Sequence, residues 1–361
     1  FYQQLPSGKS ATLGLNQLGD HFGEGFAFPI EVLVPFTQPL LVGNGSSATE
    51  FTDLGALTSL YAGTPGVRSV TSPVGPAGAP LGSWLNYSDS PAAVRAELGG
   101  ILAQFLGADG RSVLLSVIPA ASGLSANAVA LLGTLGSESS SFDAAHPAMG
   151  APYFAGGAPV TRDLAEQTAL ATERMALVVT IGLLVVLLFA LRSWVIPLLA
   201  VATIGLSIGW AWGLTRLVLL GFLGQPLFFF VPTILFIIIL GLGIDYNIFL
   251  LTRIREERLK GHGASESIVQ SLAATGGIIT AAAVILASAF LALSVGQFLL
   301  LRAIGFAVAT AVLLDAMVVR TYLVPAALQA FGERAWAMNP FRREPVRGEI
   351  PSEETLAPTR P

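Results

Sequence analysis

Two aspartates lie in stretches of sequence that water should not reach. Within the long apolar runs of the chain the ionisable residues are Asp245, Tyr246, Asp315, Arg320 and Tyr322. An aspartate at the centre of a membrane helix costs about 2.5 to 3.5 kcal/mol on insertion scales, and such acids usually mark ion paths. Burial disfavours the charged carboxylate, which brings proton uptake within reach, and an acid that gains and loses a proton is a proton carrier. Asp245 sits in GLGIDYNIFLLTRIREE, residues 241–257, with Gly241 one turn before it on the same helical face and Gly243 close by. Glycines let a neighbouring backbone come close, so the Asp245 carboxyl is expected to face packed protein. Asp315 shows the same device, with Ala307 and Ala311 at i−8 and i−4. Tyr246 follows Asp245 and points about 100° away around the helix, so each needs its partner on another helix. Thr280, in TGGIITAAA, is a candidate hydroxyl for a relay, with back-bonding to its own helix as the alternative. Five residues is not a same-face spacing on an α-helix, so a direct pair between Asp315 and Arg320 is not expected. Arg320 is read as shaping the surroundings of Asp315 or snorkelling to the interface, and Tyr322 as an interfacial aromatic.

The elements that must hold these residues are membrane helices. The chain has 361 residues, 53% apolar and only 12% charged, and a mean hydropathy of +0.69. Soluble domains are about a quarter charged. A bilayer core needs roughly 20 apolar residues in helix, and five stretches meet this: Met175 to Leu191, Trp194 to Leu214, Leu227 to Leu251, Thr275 to Leu293 and Ala303 to Leu328. An odd count puts the two ends of the chain on opposite sides. Arg192 lies in the first loop, Arg253, Arg255, Arg258 and Lys260 in the third, and Arg334, Arg342, Arg343 and Arg347 after the fifth span. The positive-inside rule makes these segments cytoplasmic and the N-terminal domain extracytoplasmic. No apolar leader precedes the polar N-terminus, and the chain reads as a piece of something longer.

The N-terminal part predicts a compact α+β domain. Strand candidates at Phe28 to Phe36, Val67 to Val74, Ser112 to Pro119 and Pro152 to Val160 alternate with helical stretches around Glu50 to Tyr61, after Ser90-Pro91, and near Ser125 to Leu135. Two strand–helix–strand units in this order predict a ferredoxin-like split βαβ fold. Asp163 to Arg174 reads as a helix feeding the first span. The organisation expected is an extracytoplasmic domain over 1–172, a five-helix all-α transmembrane bundle over 173–332, and a disordered cytoplasmic tail over 333–361.

Other chemistries find little support. The net charge of −4 and the absence of a basic arm argue against nucleic acid. There is no cysteine for a disulfide or thiolate site, and His21, His146 and His262 lie far apart without metal-ligand spacing. No metal and no cofactor is implied. Ser7-Gly8-Lys9-Ser10 ends like a P-loop, but Gln3 stands where the first glycine is required. With acids in the membrane and no nucleotide site, the energy source left is an ion gradient, about 2.3 kcal/mol per charge per 100 mV.

The strings GLGIDYNIFLLTRIREE, LRSWVIPLL (Leu191 to Leu199), TGGIITAAAVILASAF (Thr275 to Phe290) and LLDAMVVRTYLVPAAL (Leu313 to Leu328) resemble the C-terminal half of MMPL transporters, of the resistance-nodulation-division superfamily. The resemblance implies that the five spans are helices eight to twelve of a twelve-helix exporter in the bacterial cytoplasmic (inner) membrane. It further implies outward movement of lipids or other hydrophobic small molecules using proton flow. Its partners would then be protons, membrane lipids, the hydrophobic cargo and an N-terminal half not contained in this chain. It assigns the relay to Asp245 and Tyr246, pairing with their counterparts in the other half, and Phe249 to the wall beside it. Where relatives carry a serine near the fourth-span threonine, this sequence has Ala281 and Ala282. One alternative is an intramembrane aspartyl protease with Asp245 and Asp315 as paired carboxylates. Against it, Ile244 separates Gly243 from Asp245, where that class has Gly-x-Gly-Asp. A structural subunit in which the acids only fix helix register is the other.

Overall fold

The computed structural model describes residues 8–42, 45–75, 78–191 and 193–332. Within these, the side chains of 244–247 lie outside the description. The chain divides into two compact units, one up to Thr172 with the short stretch Gln297–Leu300, the other from Glu173 on.

The first unit opens with helix α1 (Ser10–Phe22) and strand β1 (Ile30–Pro35), followed by a hairpin of β2 (Leu41–Val42) and β3 (Gly45–Ser46). Helix α2 (Ala48–Gly63), strand β4 (Val67–Thr71), helices α3 (Leu81–Leu85) and α4 (Ala92–Leu102), strand β5 (Ser112–Pro119), helix α5 (Ala126–Ala145) and strand β6 (Tyr153–Gly156) complete it. The four longer strands form one sheet in the order β4-β5-β1-β6, every pair antiparallel. Period-two alternation sends Ile30, Val32, Val34, Val113, Leu115 and Val117 to one face, where all are fully buried. Phe51, Leu54 and Leu57 of α2 and Leu131, Leu132 and Leu135 of α5 close the same core. Trp84 stacks on Phe51 at 4.6 Å between ring centres, and the Tyr61 hydroxyl meets Ser139 Oγ at 2.6 Å, tying α2 to α5. Ser125 caps α5 by accepting the amide hydrogen of Ala128.

Three elements had no counterpart in the sequence reading: α1, the β2–β3 hairpin and α3. The last strand is also shorter than expected. It ends at Gly156, whose φ of +102° turns the chain out of the sheet. The residues to Val160 belong instead to helix α6 (Gly157–Leu191), and Pro159 fits its first turn, where no helical donor is lost.

The second unit is helical. After α6 come α7 (Val195–Thr215), which passes into a π-helical segment (Arg216–Phe222), α8 (Val231–Leu259) and α9 (Ala264–Ser294). Then α10 (Leu299–Leu314), a second π-helical segment (Asp315–Leu323) and α11 (Val324–Phe331) run on as one rod. Among the described residues, five helical rods are long and apolar enough to cross a membrane: Gly157–Leu191, Val195–Phe222, Val231–Leu259, Ala264–Ser294 and Leu299–Phe331. This matches the number of spans read from the sequence. Leu187, Ile196, Ile204, Leu251, Ile254, Val319 and Val324 belong to the bundle's apolar core. Gly305 of α10 allows a close approach to α9: a Cβ there would stand 2.5 Å from the Phe290 carbonyl oxygen and 2.9 Å from Leu293 Cβ. The tail expected over 333–361 lies outside the described residues.

Candidate functional site

Asp315 and Arg320 form a buried ion pair, 7% and 2% exposed. Arg320 Nε donates to Asp315 Oδ2 at 2.7 Å, and Nη2 donates to the same oxygen. Nη2 also reaches the Gly243 carbonyl of α8 at 3.3 Å. The pair corrects the sequence expectation for these residues. Residues five apart do not share a face on an α-helix, but Asp315–Leu323 is π-helical, and a ladder of i→i+5 bonds brings residues five apart close to one another. Thr321 Oγ1 donating to Ala316 O at 2.9 Å follows the same five-residue step. Arg320 does not snorkel; it lies among the best-buried large side chains of the chain. Single π-helical turns inside α-helices recur at functional sites because they re-aim side chains.

The other carboxylate oxygen is met from α7. Ser207 Oγ stands 3.1 Å from Asp315 Oδ1 and 3.1 Å from the Thr203 carbonyl. Ser207 is one step of a buried series at four-residue spacing, Thr203, Ser207, Ala211 and Thr215, each 3% exposed or less. Thr203 and Thr215 turn their hydroxyls back to Ala200 O at 2.9 Å and Ala211 O at 2.7 Å. The sequence reading missed Ser207. The signal was present, since small hydroxyl residues four apart in an apolar helix share one face.

Small residues bring the surrounding helices in. Ala307 and Ala311 of α10 are fully buried, as their spacing implied. On α8 the close contact is at Gly243, where a Cβ would meet the Ile204 side chain at 3.3 Å. Gly241, which the sequence reading put on the packed face, is exposed with open space beside it. A cavity of about 10 Å³ borders the pair, walled by Ile239, Leu242 and Gly243 of α8 and Ile279 and Ala283 of α9. That is about the least volume that admits one water.

Of the other residues singled out in the sequence, the described ones, Thr280, Phe249 and Tyr322, are not gathered here. Asp245 and Tyr246 fall on α8, but their side chains lie outside the described residues. Thr280 is exposed on α9, while its neighbour Ile279 lines the cavity. Phe249 is 50% and Tyr322 70% exposed. Among the described residues, Asp315 faces a guanidinium and a hydroxyl, an arrangement unlike the two carboxylates sharing a proton that the protease alternative requires.

Charged groups also cluster where the sequence is basic. The nearly buried Glu257, near the end of α8, is held by Arg253 at 2.9 Å, Lys260 at 2.8 Å and His262 at 3.3 Å. Arg255 donates to the Ala190 carbonyl of α6 at 2.9 Å. In the first unit, His146 ends α5 with its ring stacked on Phe142 and Nδ1 2.9 Å from the Phe142 carbonyl. A carbonyl only accepts, so Nδ1 carries the hydrogen and Nε2 faces Asp53 Oδ1 at 3.9 Å. Burial pushes the Asp53 carboxyl above its ordinary range; His146 opposes this and Glu50 adds to it. Burial likewise pushes the Tyr61 hydroxyl up to about 12.

This geometry can be set beside known proteins. The Streptomyces coelicolor protein ActII-3, which carries a membrane-protein name, is 37% identical over 204 residues, 55% of this chain and 27% of its own length. The Mycobacterium leprae "Probable transport protein MmpL10" is 32% identical over 51% of this chain and 18% of its own. The Mycobacterium tuberculosis "Probable transport protein MmpL6" is 29% identical over 54% and 48%. The chain thus spans less than half the length of these relatives. The model of the MMPL family matches residues 46–353, from the β3 strand of the first unit through all five membrane-length helices, and the chain therefore belongs to the MMPL family, as a multi-pass membrane protein.

Proposed function

We propose that this chain is half of a twelve-helix exporter that moves lipids or other hydrophobic or amphipathic small molecules outward across the bacterial cytoplasmic membrane, driven by protons. The observation that carries the reading is the buried Asp315–Arg320–Ser207 cluster between membrane-length helices of an MMPL-family chain. A carboxylate kept in an apolar bundle with a charged and a hydroxyl partner can alternate between ionised and neutral forms, and membrane acids usually serve ion paths. The transport names of the two mycobacterial relatives agree with it.

In this mechanism Asp245, Tyr246, Asp315 and Thr280 form the relay, and protonation of Asp245 removes a buried charge and changes how the two halves pack. The porter domain then moves and access alternates. Helical spacing puts position 245 in one i+4 series with Gly241 and Phe249, both exposed in this chain. Thr280 is exposed as well. These surfaces are the ones we assign to the N-terminal half, with Gly241 and Phe249 forming the wall of the relay. The first unit, residues 1–172, is assigned as the extracytoplasmic porter domain in a ferredoxin-like split βαβ fold. Its all-antiparallel order β4-β5-β1-β6 and its two strand–helix–strand units support this. Basic residues around Arg253 to Lys260 favour a cytoplasmic α8–α9 loop and a cytoplasmic C-terminus.

The test is Asp245→Asn in the complete protein, with export followed alongside membrane abundance. Loss of export at normal abundance, matched by collapse of wild-type export when an uncoupler dissipates the proton gradient, is expected. Export at the normal rate in the variant contradicts the proposal.

A further inference from the structure

We propose that Ser207 is a positioning residue whose hydroxyl turns between Asp315 and the backbone of α7 according to whether Asp315 carries a proton. This rests on the reading that Asp315 exchanges protons.

A serine hydroxyl has one hydrogen to donate and two lone pairs. Ser207 Oγ has two acceptors at the same distance, Asp315 Oδ1 and the Thr203 carbonyl, both at 3.1 Å. It can serve only one of them at a time. The two carboxylate oxygens of Asp315 are not equivalent either. Oδ2 receives both Nε and Nη2 of Arg320, and a proton landing there must displace a charge-assisted bond, the stronger kind. Oδ1 faces only the hydroxyl among the described side chains, so Oδ1 is the oxygen that takes the proton.

Two states follow. With Asp315 ionised, Ser207 donates to Oδ1 and leaves the Thr203 carbonyl to its backbone partner. With Asp315 protonated, one new O–H bond exists on Oδ1, and that hydrogen is donated to Ser207 Oγ. The serine hydrogen turns to the Thr203 carbonyl. One proton enters, no bond between heavy atoms changes, and the Arg320 bonds to Oδ2 persist.

The second state has a mechanical consequence. A serine hydroxyl bonded to the carbonyl four residues back weakens and bends a helix locally, so the proton on Asp315 is read out as a bend in α7. Ser207 is fully buried, which keeps water from substituting for either partner. Facing the carboxyl, the described charged group is Arg320 on the same rod; the adjoining walls of α8 and α9 contribute Ile239, Leu242, Gly243, Ile279 and Ala283, none of which titrates.

The experiment is infrared difference spectroscopy against pH on the full-length protein in lipid. The carboxylic C=O band of Asp315 is identified by its loss in Asp315→Asn. Ser207→Ala is expected to move that band to higher wavenumber, because the acid loses its hydrogen-bond acceptor, and to shift the pH at which it appears. Ser207→Thr, which keeps the hydroxyl, is expected to restore both. An Asp315 band unmoved by Ser207→Ala overturns the role of Ser207 while leaving proton exchange intact. Absence at every pH of any band sensitive to Asp315→Asn overturns the exchange reading, and this inference with it.

Discussion

Removing Arg320 should unbalance the bundle in a way that depends on pH. Arg320→Met keeps most of the volume of the side chain but takes away both donors to Asp315 Oδ2 and the donor to the Gly243 carbonyl. With Asp315 only 7% exposed and room beside the pair for about one water, water cannot replace them all. Deleting one partner of a buried pair costs about 3 to 5 kcal/mol, whereas replacing both by neutral groups of similar size is often close to neutral. The stranded carboxylate has one escape, which is to bind a proton. The loss should therefore be smallest in acid and widen as pH rises, and Asp315→Asn added to Arg320→Met should recover most of it and remove the pH dependence. The assay is denaturant unfolding of the purified full-length protein in detergent, comparing both single variants and the double at several pH values. If Arg320→Met costs less than about 1 kcal/mol at every pH, or if the double variant loses the sum of the singles, the pair does not hold the rod to its neighbours and the reasoning fails.

Other consequences can be checked separately. Gly305→Ala forces a Cβ to within 2.5 Å of the Phe290 carbonyl and should cost about 1 to 3 kcal/mol through overpacking, whereas Gly241→Ala meets open space and should leave stability unchanged or slightly raised while impairing export, both read by unfolding and transport assays. For Asp53 the folded carboxyl sits above its ordinary value, so its contribution is most favourable below pH 3.8 and is lost as pH rises through the folded value. Asp53→Asn should thus flatten the acid limb and stabilise the first unit near neutrality, and His146→Gln, which removes the opposing influence, should extend the loss to higher pH, followed by hydrogen exchange of α2. Tyr61, pushed up to about 12, holds its proton better folded than unfolded, so stability present below pH 10 should fall between 10 and 12; Tyr61→Phe should abolish that fall and cost about 1 kcal/mol for the bond to Ser139, seen in ultraviolet titration and thermal melts.

What the sequence could disclose follows from which signals are local. The five membrane helices were legible because runs of roughly twenty predominantly apolar residues are an unmistakable pattern, and β1 and β5 because Ile30, Val32 and Val34, and Val113, Leu115 and Val117, alternate with period two. The β2–β3 hairpin and α3 were not, since two-residue strands and a five-residue helix carry too few positions for any period to emerge. Helix α6 swallowed the end of an expected strand because the stop is a single glycine with positive φ, which a β-rich reading passes over. At the site, the small-residue stripe of Ala307 and Ala311 foretold close packing around Asp315. The Asp315–Arg320 pair was hidden for a definite reason: same-face arithmetic presumes 3.6 residues per turn, and a π-helical turn changes the register by one residue. Gly241 and Gly243 show a related limit. Both are small, but only the structure tells which of them faces Ile204.

The central claim, that acids in this bundle bind and release protons to drive transport, is tested most directly by charge movement. Full-length protein reconstituted on a solid-supported membrane and given a rapid pH step should displace charge in proportion to the protein present. Asp245→Asn and Asp315→Asn, incorporated to the same density, should each diminish that displacement and together abolish it. An undiminished displacement in the double variant, or none in the wild-type protein at any pH step, contradicts the account.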